Sequence, residues 1–155
     1  MYDSIDRPRY VVPGLGGLYA ALDSYCWPLI RVATGLFFVP HGMQKLFGFW
    51  GGDLTKYAEG FAKLGFHPGM FWASYIGCLE FFGGLLLVIG LLTRPVAALF
   101  VGFMAVAAFH VTIQRGWFWA GGGMEVPLYL MLIAIAILIR GGGALSVDRV
   151  LGREI

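Results

Sequence analysis

Four long apolar segments constrain this chain more than any other feature of its sequence. They cover residues 29–47, 70–92, 96–113 and 125–139. A transmembrane helix needs about 20 mostly apolar residues, because it rises about 1.5 Å per residue through a hydrocarbon layer about 30 Å thick. Hydrophobic residues make up 59% of the 155 positions and charged residues 13%, which is too apolar for a soluble domain of this size. The sequence therefore predicts an all-α integral membrane protein, a four-helix transmembrane bundle.

Three regions are predicted along the chain. They are a cytoplasmic arm with an interfacial helix (1–28), the transmembrane domain (29–140) and a cytoplasmic tail (141–155). The interfacial helix is indicated by apolar residues that recur every three or four positions before residue 27. Trp27 and Pro28 are then expected to turn the chain into the bilayer.

The connections between the apolar segments carry signals of their own. Asp53 is a suitable N-cap for a short external helix over residues 54–64, which has one apolar face and is too polar to span a membrane. A tight turn is predicted at residues 93–95, between the second and third segments. The first external loop is therefore expected to contain an amphipathic helix, and the second connection to be short.

Basic residues in short loops predict the orientation of the chain, because cytoplasmic loops collect an excess of Lys and Arg. One side of the predicted bundle carries Arg7, Arg9, Arg94, Arg140, Arg149 and Arg153, and the other carries Lys56, Lys63 and Arg115. Both termini are therefore predicted to be cytoplasmic. The net charge is only +2, without a basic run, which argues against a nucleic-acid partner.

Ionisable side chains inside the apolar segments mark the candidate site. A charge in the hydrocarbon layer costs about 3 kcal/mol or more, so it needs a partner inside the protein. At helical rise, Glu80 and His41 each lie about 18 Å from the predicted cytoplasmic ends of their helices. Lys45 is one turn from His41 and long enough to reach Glu80. We therefore predict a Lys45–Glu80 ion pair, bridged or flanked by His41 and His110, with Glu80, Lys45 and His41 as the reactive centre.

Further polar side chains lie at or above the level of this ion pair and are predicted to bind the ligand or line its approach. These are His110, Gln44, Tyr75 and Gln114. A second interpretation stays open, in which the buried ion pair only fixes the register of the helices. No H-x-x-x-H or E-x-x-H spacing is present, so no metal site is predicted, and a haem held by two histidines is not favoured in so small a bundle.

Other residues are assigned structural roles. Gly83 and Gly84 lie next to Glu80, where small residues let helix backbones approach closely. Arg31 is expected to snorkel or to cap the end of the second helix, and Arg94 to anchor the chain at the cytoplasmic surface. The two cysteines, at positions 26 and 78, form no C-x-x-C pair and predict no redox centre.

Three stretches of this sequence resemble the signature stretches of the DoxX family of small four-helix membrane proteins. They read LIRVATGLFFVPHGMQKLFGF, CLEFFGGLLLVIGLLTRPVA and GGGALSVDRVLG. The residues that stand where the family pattern has them are Arg31, Gly35, Gly42, Lys45, Glu80, Gly83, Gly84, Gly90, Thr93 and Arg94, with Ser146 and Asp148 in the closing motif. The resemblance implies a structural role for Asp148.

The resemblance also implies a location and a class of function. Members of the family are bacterial or archaeal inner-membrane proteins, and the family is named after a quinone-linked thiosulfate oxidoreductase whose membrane subunit is related. It implies a quinone-interacting membrane subunit of a respiratory or periplasmic oxidoreductase, with Glu80, Lys45 and His41 handling protons. Its electrons would come from redox protein partners, because no flavin, haem or iron–sulfur motif is present in the chain.

Two other classes of function stay open at this point. One is a structural subunit that anchors or assembles a larger membrane complex. The other is transport of a small solute or a proton, which four helices without an internal repeat would need a homo-oligomer to perform. Whether the chain is itself catalytic is also open.

Overall fold

The computed structural model describes residues 10–153, and within this range the chain is helical without a β-strand. This confirms the predicted all-α class. The α-helices are α1 (Leu15–Phe47), α2 (Leu54–Lys63), α3 (Gly69–Cys78), α4 (Gly84–Ile89), α5 (Thr93–Val106), α6 (Glu125–Arg140) and α7 (Val147–Leu151). π segment 1 (Leu79–Gly83) joins α3 to α4, π segment 2 (Ala107–Thr112) follows α5, and short 3₁₀ turns occupy Phe49–Gly51, Ile113–Arg115 and Trp119–Gly121.

These elements form four long helical runs that alternate in direction. The runs are α1, Gly69–Ile89, Thr93–Arg115 and α6. The second run packs along α1, α6 packs along α5, and α1 and α6 contact each other only over a short stretch. Residues 141–153 lie at one end of the runs, which we call the tail end. The opposite end, with α2 and the connection at 116–124, is the loop end.

An aromatic contact joins the two halves of the core. Phe38 of α1 stacks on Phe100 of α5 with ring centroids 4.0 Å apart, and both side chains are buried. Leu87 and Ile137 are buried in the same cluster, so all four runs contribute to it. On the outside, by contrast, large apolar side chains are exposed on every run. Exposed apolar surface of this extent is characteristic of a protein that contacts lipid or partners.

Two of the four runs are long and apolar enough to cross a membrane. They are Gly69–Ile89, with 21 residues, and Thr93–Arg115, with 23 residues. α1 is longer but carries several polar side chains, and α6 has only 16 residues. The boundaries of the second, third and fourth predicted segments agree with these runs to within a few residues.

The predicted break at Trp27 and Pro28 is wrong, because α1 continues through both residues from Leu15. A proline inside a helix costs a hydrogen bond and about 3 kcal/mol, so contacts elsewhere must hold this part of α1 straight. Trp27 provides one of them, since its Nε1 donates to the carbonyl of Gly141 over 2.9 Å. There is accordingly no separate interfacial helix among the described residues. Most of the predicted arm, with Arg7 and Arg9, lies outside those residues.

The predicted turn at residues 93–95 is also wrong. The chain bends one turn earlier, where Gly90 has a left-handed backbone with φ of +71° and Leu92 has φ of +51°. Thr93 already begins α5, and Pro95 sits in its first turn, where the missing N–H has no helical partner to lose. The external helix, by contrast, is confirmed: Asp53 accepts hydrogen bonds from the N–H groups of Thr55 and Lys56 and so caps α2.

The crossing of α1 over π segment 1 depends on Gly42. A Cβ atom at this position would overlap the backbone of Phe81, lying only 2.7 Å from its Cα. We expect Gly42→Ala to lower the free energy of unfolding by about 1–3 kcal/mol, because the two helices must separate. Thermal unfolding of the detergent-purified protein measures this change.

Gly102→Ala is the matched control for this prediction. Gly102 is also helical, but a Cβ there meets no heavy atom within 4 Å. Alanine is favoured over glycine in a helix by about 0.5–1 kcal/mol, so this variant should be slightly more stable. Equal losses in the two variants would contradict the close approach at Gly42.

Candidate functional site

Lys45 and Glu80 form an ion pair inside the helical core, as the sequence predicted. Lys45 Nζ lies 2.6 Å from Glu80 Oε2 and 2.9 Å from Oε1. The side chains are 12% and 5% exposed, so water screens the pair very little. Both charges are therefore compensated mainly by each other.

Glu80 owes its position to π segment 1. A π turn closes i→i+5 hydrogen bonds and holds one more residue than an α turn, and such turns recur at functional sites. Gly42, which lets α1 approach Phe81 closely, brings the last turns of α1 against this segment. Lys45, in those last turns, therefore faces Glu80 across the helix contact.

π segment 2 lies across the core from π segment 1. Thr112, near its end, donates its hydroxyl hydrogen to the carbonyl of Ala107, five residues earlier, over 2.9 Å. This bond holds the wide turn. No pattern in the sequence singled out either π segment, because the extra residue of a π turn leaves no mark on apolar periodicity over so short a length.

A pocket of about 220 Å³ lies between α1, the two π segments and α6. Its wall is mostly apolar, and three polar side chains reach it: His41, Glu80 and Thr112. We call it the central pocket. The apolar wall is formed by Phe37, Phe38, Met104, Ala107, Val126, Pro127 and Leu130, with Trp119 from the loop end.

The central pocket has an exposed rim on the side where α1 and α6 separate. Phe37, His41 and Trp119 all line it and are exposed to the outside of the protein. Because α1 and α6 contact each other only over a short stretch, the rim opens between two helices. Glu80 therefore lines the same pocket as side chains that are exposed at its rim.

The other predicted ligand residues lie elsewhere. His110 packs edge-on against Phe66, with ring centroids 5.4 Å apart, and does not line the central pocket. Tyr75 stacks on Phe71 and lines a separate apolar groove. Gln114 is exposed in a 3₁₀ turn, and the side chain of Gln44 lies beside Gly52. The structure thus brings together His41, Lys45 and Glu80 but not the rest of the predicted set.

Tyr57 of α2 is a further neighbour of the ion pair. Lys45 Nζ lies 5.1 Å from the centroid of its ring, a distance suitable for a cation–π interaction. Burial and, secondarily, the negative charge of Glu80 raise the pKa of Tyr57, so its hydroxyl stays protonated at neutral pH. The sequence placed Tyr57 on the apolar face of α2 but did not predict this contact.

A second polar cluster lies at the tail end, around the buried side chain of Arg31. Its guanidinium donates to the carbonyls of Leu87, Val88 and Leu145. This agrees with the predicted capping of the second run and adds a contact to the tail. Thr93 lies nearby, buried at the start of α5.

Asp148 completes the tail-end cluster by capping α5. Its carboxylate oxygens accept hydrogen bonds from the backbone N–H groups of Leu92 and Thr93 over 2.8 and 2.9 Å. Burial alone would raise the pKa of Asp148, but these hydrogen bonds and the charge of Arg31 outweigh it and lower the pKa. Asp148 therefore stays ionised and holds the tail against the start of α5.

The remaining predicted structural residues lie near these two clusters. Gly84 packs against Gly35 of α1, where an added Cβ would be 2.8 Å from the Gly35 carbonyl oxygen. Gly83 faces Phe100, and Arg94 is half-buried in the first turn of α5. Within residues 10–153, no three His, Cys, Asp or Glu side chains are grouped so as to hold a metal ion.

Comparison with known proteins identifies the family of this chain. The DoxX family model matches residues 26–113. "Putative oxidoreductase CatD" of Bacillus subtilis is 31% identical over 120 residues, which cover 77% of this chain and 82% of CatD. "Inner membrane protein YqjF" of Escherichia coli is 28% identical over 131 residues, covering 80% of this chain and 90% of YqjF. No solved structure is significantly similar. The chain therefore belongs to the DoxX family of membrane proteins.

Proposed function

We propose that this protein is a quinone-interacting membrane subunit of an oxidoreductase, and that the central pocket takes the quinone head group. The observation that carries the proposal is the combination of His41, Glu80 and an aromatic wall in one pocket that opens sideways between α1 and α6. The oxidoreductase name of CatD supports the class of reaction. The lateral opening suits a ligand that reaches the protein through lipid.

The size of the pocket fits a ring rather than a whole quinone. Pockets for drug-sized ligands measure about 300–1,000 Å³, and the central pocket is smaller, at about 220 Å³. A planar head group would therefore lie against Phe37 and Phe38, and its isoprenoid tail would stay outside in the bilayer. Aromatic rings in such contacts add about 0.5–1.5 kcal/mol to their burial.

The polar side chains of the pocket match the chemistry of quinone reduction. Each quinone accepts two electrons and two protons, and negative charge develops on its ring oxygens before they are protonated. His41 can donate a hydrogen bond to one oxygen and Glu80 can exchange a proton, while Lys45, which is paired with Glu80 outside the pocket lining, can stabilise the developing charge. In this proposal the electrons come from a redox partner protein.

The same proposal includes the arrangement in the membrane. All four runs cross the bilayer of the inner membrane, with the tail end in the cytoplasm. Arg94, Arg140 and Arg149 lie at the tail end, whereas Lys56 and Arg115 lie at the loop end. In this arrangement the central pocket would lie in the half of the bilayer nearer the loop end, because Trp119 and the first turns of α6 line it. The quinone would exchange its protons on the periplasmic side.

Quinone binding by the purified protein tests the proposal. Titration with a short-tailed quinone, followed by quenching of tryptophan fluorescence, should show saturable binding. Glu80→Gln should weaken binding of the reduced form, the quinol, by about tenfold or more, because a quinol hydroxyl can donate to the carboxylate and a hydrogen bond to a charged group is worth about 1.5–3 kcal/mol. Glu59→Gln, an exposed acidic residue on α2, is the matched control and should leave the affinity unchanged.

Two results would overturn this proposal. Absence of saturable binding by the unaltered protein removes the quinone role. Unchanged affinity in a folded Glu80→Gln variant removes Glu80 from it. Circular dichroism of each variant, recorded in the same detergent, separates loss of binding from loss of the fold.

A structural anchoring subunit is the second candidate function. Lys45 engages both oxygens of Glu80, which is the geometry expected if the pair only fixes helix register. In that case the double variant Lys45→Met with Glu80→Leu keeps both the assembly of the complex and its quinone reactivity. Loss of quinone reactivity with assembly intact favours the quinone site.

A further inference from the structure

A second cleft, of about 460 Å³, lies at the tail end of the molecule. Three arginines line it: Arg140 ends α6, Arg149 lies on α7, and Arg153 follows α7. Arg149 and Arg153 are exposed, and none of the three forms an ion pair with an acidic side chain among residues 10–153. The cleft therefore presents three guanidinium groups that come from two different elements.

The acidic residue of the cleft does not cancel this charge at its surface. Asp148 also lines the cleft, but its two carboxylate oxygens accept the N–H groups of Leu92 and Thr93, and the residue is only 5% exposed. Its charge is thus directed toward the start of α5. An anion that enters the cleft meets the arginines.

Apolar side chains surround the cationic cleft on the outside. Leu145, Val150 and Leu151 are exposed, with Val150 at 86%. Trp27 stacks under Arg140, 5.0 Å from the guanidinium carbon, and indole rings favour the boundary between hydrocarbon and water. Arg140 itself directly follows the apolar run of α6. With the tail end at the cytoplasmic surface, as in the proposed function on which this step rests, cationic and apolar groups occur together at the depth of phospholipid headgroups.

We propose that this cleft binds the headgroup of an anionic phospholipid and that the bound lipid holds α7 in place. Guanidinium groups bind phosphate oxygens with two parallel hydrogen bonds, which suits a phosphodiester. The acyl chains of the same lipid cover Val150 and Leu151, which a free phosphate cannot do. Because α7 carries Asp148, occupancy of the cleft strengthens the cap on α5.

The thermal stability of the protein with and without lipid tests this proposal. The test does not measure quinone binding, so its outcome is independent of the quinone role. The protein is purified in a neutral detergent and heated with phosphatidylglycerol, phosphatidylcholine or inorganic phosphate. Saturating phosphatidylglycerol should raise the Tm by about 5 °C, because a ligand that binds the folded state stabilises it. Phosphatidylcholine and inorganic phosphate should leave the Tm unchanged.

The variant Arg149→Gln with Arg153→Gln should lose the response to phosphatidylglycerol. Both side chains are exposed, so their replacement leaves the packed core intact. Arg115→Gln, at the loop end, is the matched control and should keep the full response. Native mass spectrometry should show retained phosphatidylglycerol on the unaltered protein and on the control, and less on the double variant.

Three outcomes would overturn the proposal. An equal response to phosphatidylcholine means that headgroup charge is not recognised. An equal response to inorganic phosphate means a site for free anions and not for lipid. A loss of response in Arg115→Gln as large as that in the double variant means that the protein attracts anionic lipid without a defined cleft.

Discussion

Glu80→Ala is expected to lower the free energy of unfolding by about 3–5 kcal/mol, because it leaves the ammonium group of Lys45 charged and almost without water. Lys45 Nζ lies within 3 Å of both carboxylate oxygens, and its side chain is 12% exposed. Its remaining close neighbour, the ring of Tyr57, supplies much less than a full negative charge. Thermal unfolding in detergent measures the loss.

A double-mutant cycle separates the pair from the residues themselves. Lys45→Met combined with Glu80→Leu removes both charges and should recover most of the stability lost in the single variant, since apolar side chains of similar volume often replace a buried pair without cost. Glu59→Ala on the exposed side of α2 controls for the loss of a carboxylate in general and should change stability by less than about 0.5 kcal/mol. A double variant as unstable as Glu80→Ala would contradict the pairing.

Arg31→Met is expected to cost about 3 kcal/mol or more. It removes the donor from three carbonyls, those of Leu87, Val88 and Leu145, and a buried polar group left without a partner costs about 1–3 kcal/mol. Because one of these carbonyls belongs to the tail, the variant should also release α7. Hydrogen exchange measured by mass spectrometry should become faster in residues 141–153 than in the same residues of the unaltered protein. The core helices should change less.

Arg140→Met is the matched control for Arg31. Both arginines lie at the tail end, but Arg140 is exposed and contacts the ring of Trp27. Such a contact at an exposed site is worth about 0.5–1 kcal/mol, so the control should unfold at nearly the original temperature. Unchanged exchange of the tail in Arg31→Met would show that other contacts, such as those of Asp148 and Trp27, hold it without Arg31.

Much of the fold could be predicted from the sequence, because the length and composition of a segment limit the structures that it can form. Long apolar segments gave the last three runs to within a few residues, because their length and composition leave few alternatives to a helix. α2 followed from Asp53, whose carboxylate caps the helix. The Lys45–Glu80 pair followed from the cost of a lone charge among apolar groups, which left each residue with one plausible partner.

The features that the sequence did not reveal depend on the direction of side chains and on packing between residues that are distant in sequence. Depth along a helix can be counted in residues, and it placed His110 near Glu80, but it does not say which way a side chain faces. His110 lies within π segment 2, which was not predicted, and faces Phe66. The sequence also did not predict that α1 continues through Pro28. This continuity depends on contacts between residues that are distant in sequence, such as the hydrogen bond from Trp27 to Gly141.

π segments 1 and 2 determine how the helical runs respond to the deletion of a single residue. Each turn contains a surplus residue, so deleting one residue there would let an ordinary α-helix form without shortening the run by a full turn. Side chains beyond the deletion would then keep their direction about the helix axis, whereas deleting one residue from an ordinary α-helix rotates them by about 100°. A single deletion at 107–112 would thus leave almost unchanged both the length of the run and the direction of the side chains between it and the loop end.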